Sequence, residues 1–317
     1  MMAMLHMILF IVSLKSTTGF AISYKSVLPR TQRICSKSFQ LDMTSSLYDL
    51  SKVSLRVNDL KKSIDFYTKG LGMKVLNEAV GKSVLGYNGD GKSELCLELS
   101  VNDNTDNLSI GDGYKGIELK FPDIDPVVSS ALSHGGDIIR KIDNYAYAAS
   151  LIPEENDLAT FPVRYGKISD PDGYLIKLVE KPSSCILSSV IVSVLDLDES
   201  VKYYSDTFRM TQIRRRSNVM AKPKEASMSA FMSHLPEGEG ATIELLYKYG
   251  TDKIDYGTGF KQLSFSSGKD AALVMVSMIQ SGVQPTVETN EENQQSVVIT
   301  DPSGYKVSVD CLAMSNV

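Results

Sequence analysis

Leu55-Arg56-Val57-Asn58-Asp59-Leu60, running into Ser63-Ile64-Asp65-Phe66-Tyr67, is written a second time 137 residues later. There it reads Val192-Ser193-Val194-Leu195-Asp196-Leu197, running into Ser200-Val201-Lys202-Tyr203-Tyr204. Downstream, each copy reaches an acidic strand, Leu97-Glu98-Leu99 or Ile243-Glu244-Leu245, at an offset of 146. Each then ends on a turn, Asp170-Pro171-Asp172-Gly173-Tyr174 or Asp301-Pro302-Ser303-Gly304-Tyr305, at an offset of 131. The drifting offset marks a duplicated domain whose loops have been gained and lost. Two long copies are too few for a solenoid array. The 317 residues suit two such units, each of about 130 residues and able to bury a core.

Within the first copy, Val53, Leu55 and Val57 alternate with Lys52, Ser54 and Arg56, which is strand periodicity. Asn58 or Asp59 can cap a helix whose apolar positions are Leu60, Ile64, Tyr67 and Leu71, stopped by Gly70 and Gly72. Strands follow around Met73–Asn77, Val84–Tyr87 and Glu94–Ser100, giving β-α-β-β-β. The order recurs with a strand at Ile117–Phe121, a helix at Asp125–His134 and strands near Asp137–Ile142, Val163–Ile168 and Tyr174–Glu180. The second copy repeats the pair of modules from Val190 to Cys311, after the linker Lys181-Pro182-Ser183-Ser184. The Asp-Pro-x-Gly turns are explained as tight connections between strands.

The first 46 residues stand apart. Met7-Ile8-Leu9-Phe10-Ile11-Val12 is too short to span a bilayer and sits where a signal peptide has its apolar region. Phe20 to Gln40 carries Lys25, Arg30, Arg33 and Lys37 and no acid, a transit-peptide composition. The expected leader is therefore bipartite, resembling the plastid presequences of algae with secondary plastids; plain secretion or a mitochondrial presequence are the alternatives. Beyond residue 46 the chain holds 28 Lys and Arg against 37 Asp and Glu, a net charge of −9. That balance argues against nucleic acid as a partner. No later segment reads as a membrane span. Cys96, Cys185 and Cys311 lack Cys-x-x-Cys spacing, so neither a disulfide framework nor a zinc ribbon is expected, only mostly buried thiols.

The motif from Leu55 to Tyr67, with Leu71-Gly72-Met73, resembles the vicinal-oxygen-chelate superfamily and, within it, glyoxalase I (lactoylglutathione lyase). Further residues carry the likeness: Glu244-Leu245-Leu246-Tyr247-Lys248-Tyr249-Gly250, Asp252-Lys253, Tyr256-Gly257-Thr258-Gly259-Phe260 and Asp170-Pro171-Asp172-Gly173-Tyr174. The resemblance covers residues 48 to 312 and is closest to the fused two-domain form of plants and algae. It implies an α+β fold of tandem domains, 48–181 and 186–313, each of two βαβββ modules forming a curved mixed sheet with flanking helices. It also implies a monomer with pseudo-dimeric halves.

In the family a divalent Zn or Ni ion polarises the hemithioacetal of methylglyoxal and glutathione, while a glutamate moves a proton between adjacent carbons. Each metal is held by His, Gln or Glu side chains drawn from both halves. Carried over residue by residue, the first-strand ligand falls on Lys52 and Ser189. The acidic-strand glutamate is kept as Glu98 and Glu244. The histidine falls on Gly116 and Gln262, and the last glutamate on Lys177 and Ser308. The cross-half assembly implies one pocket of Lys52, Glu98, Gln262 and Ser308, and another of Ser189, Glu244, Gly116 and Lys177. Strand parity independently puts Lys52, Glu98, Gln262 and Lys177 on the face away from the aliphatic stripe.

An ammonium has three donors and no lone pair to coordinate with. Lys52 with Glu98, and Lys177 with Glu244, are therefore read as ion pairs standing in for a lost metal, with lysines snorkelling to solvent as the alternative. His134 and His234, the two histidines past the leader, read as solvent-facing turn residues. Arg56 matches the family's glutathione-contacting arginine, and its repeat partner is Ser193. Arg214-Arg215-Arg216 reads as a solvated edge. Cys96 shares a strand face with Glu94 and Glu98, near the pocket mouth.

The leading expectation is a metal-free protein of lactoylglutathione lyase descent, without cofactor, binding a small anionic ligand such as a glutathione conjugate. The rival is an active lyase that holds Zn or Ni with Glu98, Glu244, Gln262 and non-standard ligands. Two others stay open: a metal-free enzyme using Lys52 or Lys177 as base or Schiff-base amine, and an interaction module using the cleft between halves.

Overall fold

The computed structural model describes residues 48–87, 95–102, 107–146, 162–218, 226–289 and 294–311. The expected leader and Glu94 lie outside them. Residues 47–317 form one compact unit.

The first module supplies β1 (Asp49–Val57), β2 (Lys74–Ala79), β3 (Lys82–Gly86) and β4 (Cys96–Val101). The second supplies β5 (Tyr114–Phe121), β6 (Asp137–Ala146), β7 (Pro162–Ser169) and β8 (Leu175–Glu180). From the second copy come β9 (Leu187–Ser193), β10 (Thr211–Asn218), β11 (Ser227–Ser233) and β12 (Thr242–Lys248), then β13 (Phe260–Ser266), β14 (Thr286–Thr289), β15 (Gln295–Thr300) and β16 (Lys306–Asp310). After each module's first strand comes a helix: α1 (Leu60–Asp65), α2 (Asp125–Ser133), α3 (Leu197–Phe208) and α4 (Ala271–Gln280).

The modules pair across the duplication. The first and fourth form one eight-stranded sheet, in the order β14-β15-β16-β13-β1-β4-β3-β2, and the second and third form the other, β10-β11-β12-β9-β5-β8-β7-β6. Each sheet is two modules, as expected, but they come from opposite copies. The join is antiparallel in both, β1 against β13 and β5 against β9, and is flanked by the parallel pairs β1–β4, β13–β16, β5–β8 and β9–β12.

Alternation decides which face is core. Val53, Leu55, Val57, Leu97, Leu99, Leu263, Phe265, Val307 and Val309 are wholly buried. Asp59, not Asn58, caps α1 by accepting from the Lys62 amide, and Asp196 caps α3 in the same way from Glu199. The last turn before Gly70 widens into a π-turn over Phe66–Gly70. Phe208 at the end of α3 stacks on Phe265 of β13 at 4.0 Å, so the third module's helix packs on a strand of the other sheet.

The Asp-Pro-x-Gly-Tyr turns lock this arrangement twice. Asp170 Oδ1 accepts from the Asp172 and Tyr174 amides, its Oδ2 accepts from the Tyr67 hydroxyl at 2.9 Å, and Tyr174 donates to the Arg56 carbonyl at 2.7 Å. Asp301 repeats the set with Ser303, Tyr305 and Tyr204, and Tyr305 donates to the Ser193 carbonyl. Burial pushes the Asp170 carboxyl up to about 7 and that of Asp301 to about 6, against these hydrogen bonds. At the axis relating the halves, Gly111 and Gly257 meet so closely that a Cβ on either would fall within 2.6 Å of the other's backbone.

Candidate functional site

On the face of each sheet away from the aliphatic stripe, strand register sets polar side chains in rows. In the first sheet one row runs Ser308–Ser264–Lys52–Cys96, and beside it runs Gln262–Ser54–Glu98. The four expected residues Lys52, Glu98, Gln262 and Ser308 are thus brought together across the two copies. Lys52 Nζ lies 3.5 Å from Glu98 Oε2, as anticipated, but closer partners intervene. Asp310 holds Lys52 at 3.0 Å, and Lys82 holds Glu98 at 2.8 Å. Burial works against the Lys52 ammonium, yet Asp310 and Glu98 outweigh it and raise its pKa above the usual lysine range. Burial likewise opposes Glu98, and the Lys82 and Lys52 charges nevertheless hold it below the usual carboxylate range. Gln262 Nε2 donates to Ser264 and Ser308, and Ser308 donates to Ser264 at 2.9 Å.

The second sheet carries the equivalent rows, Lys177–Glu118–Ser189–Thr242 and Gly116–Ile191–Glu244. Here the expected pairing of Lys177 with Glu244 is corrected. Lys177 donates to Glu118 Oε2 at 2.7 Å, both side chains being 9% exposed. Glu244 is held by Ser229 at 2.8 Å and by Arg216 at 3.2 Å. The reason is register: Glu118 stands directly opposite Lys177 on the adjoining strand, whereas β5 and β9 separate Lys177 from β12. Burial alone would raise Glu118, but the Lys177 and Lys120 ammonium groups prevail and bring it down to about 2. Gly116 sits at φ +111° in the bulge where β5 joins β9, and a Cβ there would come within 2.1 Å of the Leu175 carbonyl oxygen. The position implied for a histidine therefore excludes any side chain in this backbone.

Three partners escaped the sequence reading: Glu118, Lys82 and Asp310. Glu118 alternates with the buried Ile117 and Leu119, and Asp310 lies two residues beyond Ser308 on the same face; parity would have flagged both. The arginine run is not a solvated edge. Arg214 and Arg216 turn onto the site face, where their guanidinium groups lie 4.0 and 5.3 Å from the Phe231 ring centre, while Arg215 pairs with Asp198. Arg56 donates to the Thr258 carbonyl at 2.7 Å, and Ser193 makes the matching bond to Asp112, so this position ties the halves together in both copies. The histidines are half-buried rather than solvent-facing, each with a ring nitrogen 2.8 Å from a main-chain carbonyl, of Ser130 for His134 and of Phe208 for His234. Cys96 is on the site face, opposite Lys52, and the three described cysteines form no disulfide.

These rows do not fit the Zn or Ni ion that the fold family implies. A tetrad of His, Gln and Glu needs several lone pairs pointed at one centre. The first sheet offers Glu98, already between two lysines, and Gln262, whose amide is turned to two serines. The second offers Glu244, already held by Ser229 and Arg216, with a serine hydroxyl, an ammonium and a bare glycine at the other three positions. Among the described residues no three His, Cys, Asp or Glu side chains converge into a metal-holding group. Nor do Lys52 and Lys177 suit base or Schiff-base chemistry, because each is held charged by a carboxylate within 3.0 Å.

The model of the Glyoxalase/Bleomycin resistance protein/Dioxygenase superfamily matches residues 49–178 and again 186–309. A protein of Arabidopsis thaliana named a probable lactoylglutathione lyase, chloroplastic, is 31% identical over 227 residues, or 68% of this chain. That match takes in 58% of the Arabidopsis protein's length. The lactoylglutathione lyase of Escherichia coli O157:H7 is 32% identical over 133 residues, covering 40% of this chain and 88% of that one. The crystal structure of glyoxalase I from Zea mays superposes with a TM-score of 0.67, at 22% identity, over 83% of this chain and 92% of that one. This last likeness bears on the fold.

Proposed function

Since the chain belongs to the Glyoxalase/Bleomycin resistance protein/Dioxygenase superfamily, and within it to the lactoylglutathione lyase family, we propose that it is a metal-free member whose site faces bind a small ligand rather than isomerise a hemithioacetal. One observation carries this reading. Where the family's last glutamate is implied, the buried Lys177 ammonium sits 2.7 Å from Glu118, beside a glycine whose backbone admits no ligand side chain. Family chemistry needs a Lewis acid to stabilise an enediolate, and a resident ammonium repels a divalent cation. In the first sheet, Glu98 would have to leave both Lys52 and Lys82 before it could act as ligand or base. The rival, a lyase using Glu98, Glu244 and Gln262 with Zn or Ni, must overcome that cost in both sheets.

The proposed ligand is anionic, a glutathione conjugate being one candidate, and the fused halves supply both sides of each sheet without a second copy. The basic, acid-free stretch Phe20 to Gln40 supports delivery to a plastid, as the chloroplastic relative does, with the leader of a secondary-plastid alga the specific form proposed. A fluorescent fusion of residues 1–46 retained outside plastids would refute that delivery. For the site, metal analysis of the purified protein and a hemithioacetal isomerisation assay with added Ni or Zn decide the matter. The expected result is neither stoichiometric metal nor turnover. Bound metal whose chelation abolishes turnover would refute the reading.

A further inference from the structure

Helix α4 is apolar on the side that its own sheet does not cover. Ala271, Val274 and Met278 face inward and are buried, and the helix packs on β15. A spacing of three sets Leu273, Val276 and Ile279 along the outer side, where they are 55, 52 and 57% exposed. Ala272 beside them is exposed as well. Val287 of the edge strand β14 stands directly opposite the buried Val297 of β15 and so shares the helix's side of the sheet; it is 41% exposed. From Ala271 to Val287 the chain holds no charged residue.

The other copy shows that the fold does not require this stripe. Gly135 and Gly282, both left-handed, follow α2 and α4 at equivalent points. Counted back from them, Leu273, Val276 and Ile279 correspond to Pro126, Ser129 and Leu132, which are also exposed. Asp125, in place of Ala272, pairs with Arg164. One helix is finished for water and its duplicate is not. A helix apolar on two opposite sides is ordinarily covered on both, and an exposed stripe of this kind marks a contact.

Chemistry narrows what covers it. The stripe is a convex helix face rather than a cavity, so it does not suit a small molecule. It lacks the lysines and arginines by which an interfacial helix holds to a lipid surface. A charged partner surface would lose water there without gaining a counter-charge. The stripe is, however, nearly palindromic: centred on Val276, Leu273 mirrors Ile279. A two-fold axis through Val276 sets that residue on its own twin and Leu273 on the partner's Ile279. Antiparallel crossing also keeps the flanking charges of the two copies apart, whereas parallel crossing sets Lys269 and Asp270 each against its like.

We propose that α4 is the interface of a two-fold symmetric homodimer, two copies of this chain crossing antiparallel at Val276. Because α4 lies on the core side of its sheet, the dimer leaves both site faces open and stands whatever their metal content. One helix face is small for an interface, so the dissociation constant is roughly micromolar.

The test is sedimentation velocity of the full chain from roughly 1 to 100 μM. The dimer fraction should rise across that range. Val276→Lys, at an exposed position, should keep the thermal midpoint at dilution and weaken association roughly tenfold or more. Leu132→Lys, the matching change on α2, should leave association unchanged. Under oxidising conditions Val276→Cys should cross-link to itself, and a mixture of Leu273→Cys and Ile279→Cys should link to each other in preference to themselves. The unsubstituted chain, with its native cysteines, sets the background. A monomer throughout, a dimer that Val276→Lys leaves intact, or preferential self-linking of Leu273→Cys overturns the proposal. So does a monomer that binds phosphatidylcholine vesicles and loses that binding in Val276→Lys, which assigns the stripe to a membrane instead.

Discussion

Replacing Lys177 by Met should unbalance the second sheet more than any other single change on its site face. The pair with Glu118 is buried on both sides, so removing the ammonium leaves a carboxylate in a poorly solvated setting. Breaking such a pair typically costs about 3–5 kcal/mol. An independent route gives the same size: the difference between the ordinary 4.5 and about 2 for Glu118 corresponds to about 3 kcal/mol. Lys120, 3.6 Å from the other Glu118 oxygen, retains part of that, which favours the lower end. Equilibrium denaturation at pH 7 should show the loss, with the thermal midpoint falling by roughly 6–12 °C. Lys177→Met combined with Glu118→Leu should recover most of it, because apolar replacements of a buried pair are often neutral or better. Acidification supplies a further check. Glu118 is held below its unfolded value, so its contribution is complete above pH 4.5 and fades as pH falls toward 2; the single variant should lack that acid-side loss. A cost below about 1 kcal/mol, or a double variant no more stable than the single, would refute the assignment of Lys177 and Glu118 as one electrostatic unit.

Installing metal ligands should succeed in one sheet and fail in the other. Lys52→His with Ser308→Glu, beside the retained Glu98 and Gln262, should take up one Ni equivalent measurable by calorimetry. Gly116→His should cost several kcal/mol, on the order of a core overpacking defect, and bind no metal, given the 2.1 Å approach to Leu175. Asp170 is raised to about 7 in the folded protein, so stability should decline as pH rises from about 4 to 7, and Asp170→Asn should flatten that slope in urea titrations. Tyr67→Phe and Tyr204→Phe each remove one hydroxyl from a buried aspartate. Each should lower stability by about 1–2 kcal/mol, and unequal losses above that range would show that the two turns are not equivalent.

The repeat and the parity of its strands carry most of the fold. Leu55 and Val192 begin the same run, Asp59 and Asp196 cap the same helix, and the positions expected to face the sites do so. What the sequence did not disclose depends on contacts between modules distant along the chain. Lys177 alternates correctly with Ile176 and Leu178, but its choice of Glu118 over Glu244 follows from a pairing register spanning β8 and β5. Asp310 reaches Lys52, and Lys82 reaches Glu98, by the same kind of lateral adjacency. Arg214 and Arg216 read as solvated because local sequence does not reveal that Phe231 and Glu244 lie beside them. Periodicity tells which way a side chain points; its neighbour is decided by the strand laid alongside.

The crossed pairing of modules has a consequence for the duplication itself. A break in the linker between Glu180 and Cys185 would yield two fragments, each holding one half of both sheets. Each would bare the edges of two strands, β1 and β5 in one, β9 and β13 in the other. Such pieces should complement each other when mixed, and either alone should seek a twin whose edges mimic the missing ones. The join between halves is thus a tether on an obligate partnership, and it lets the paired faces diverge without the two copies ever drifting apart.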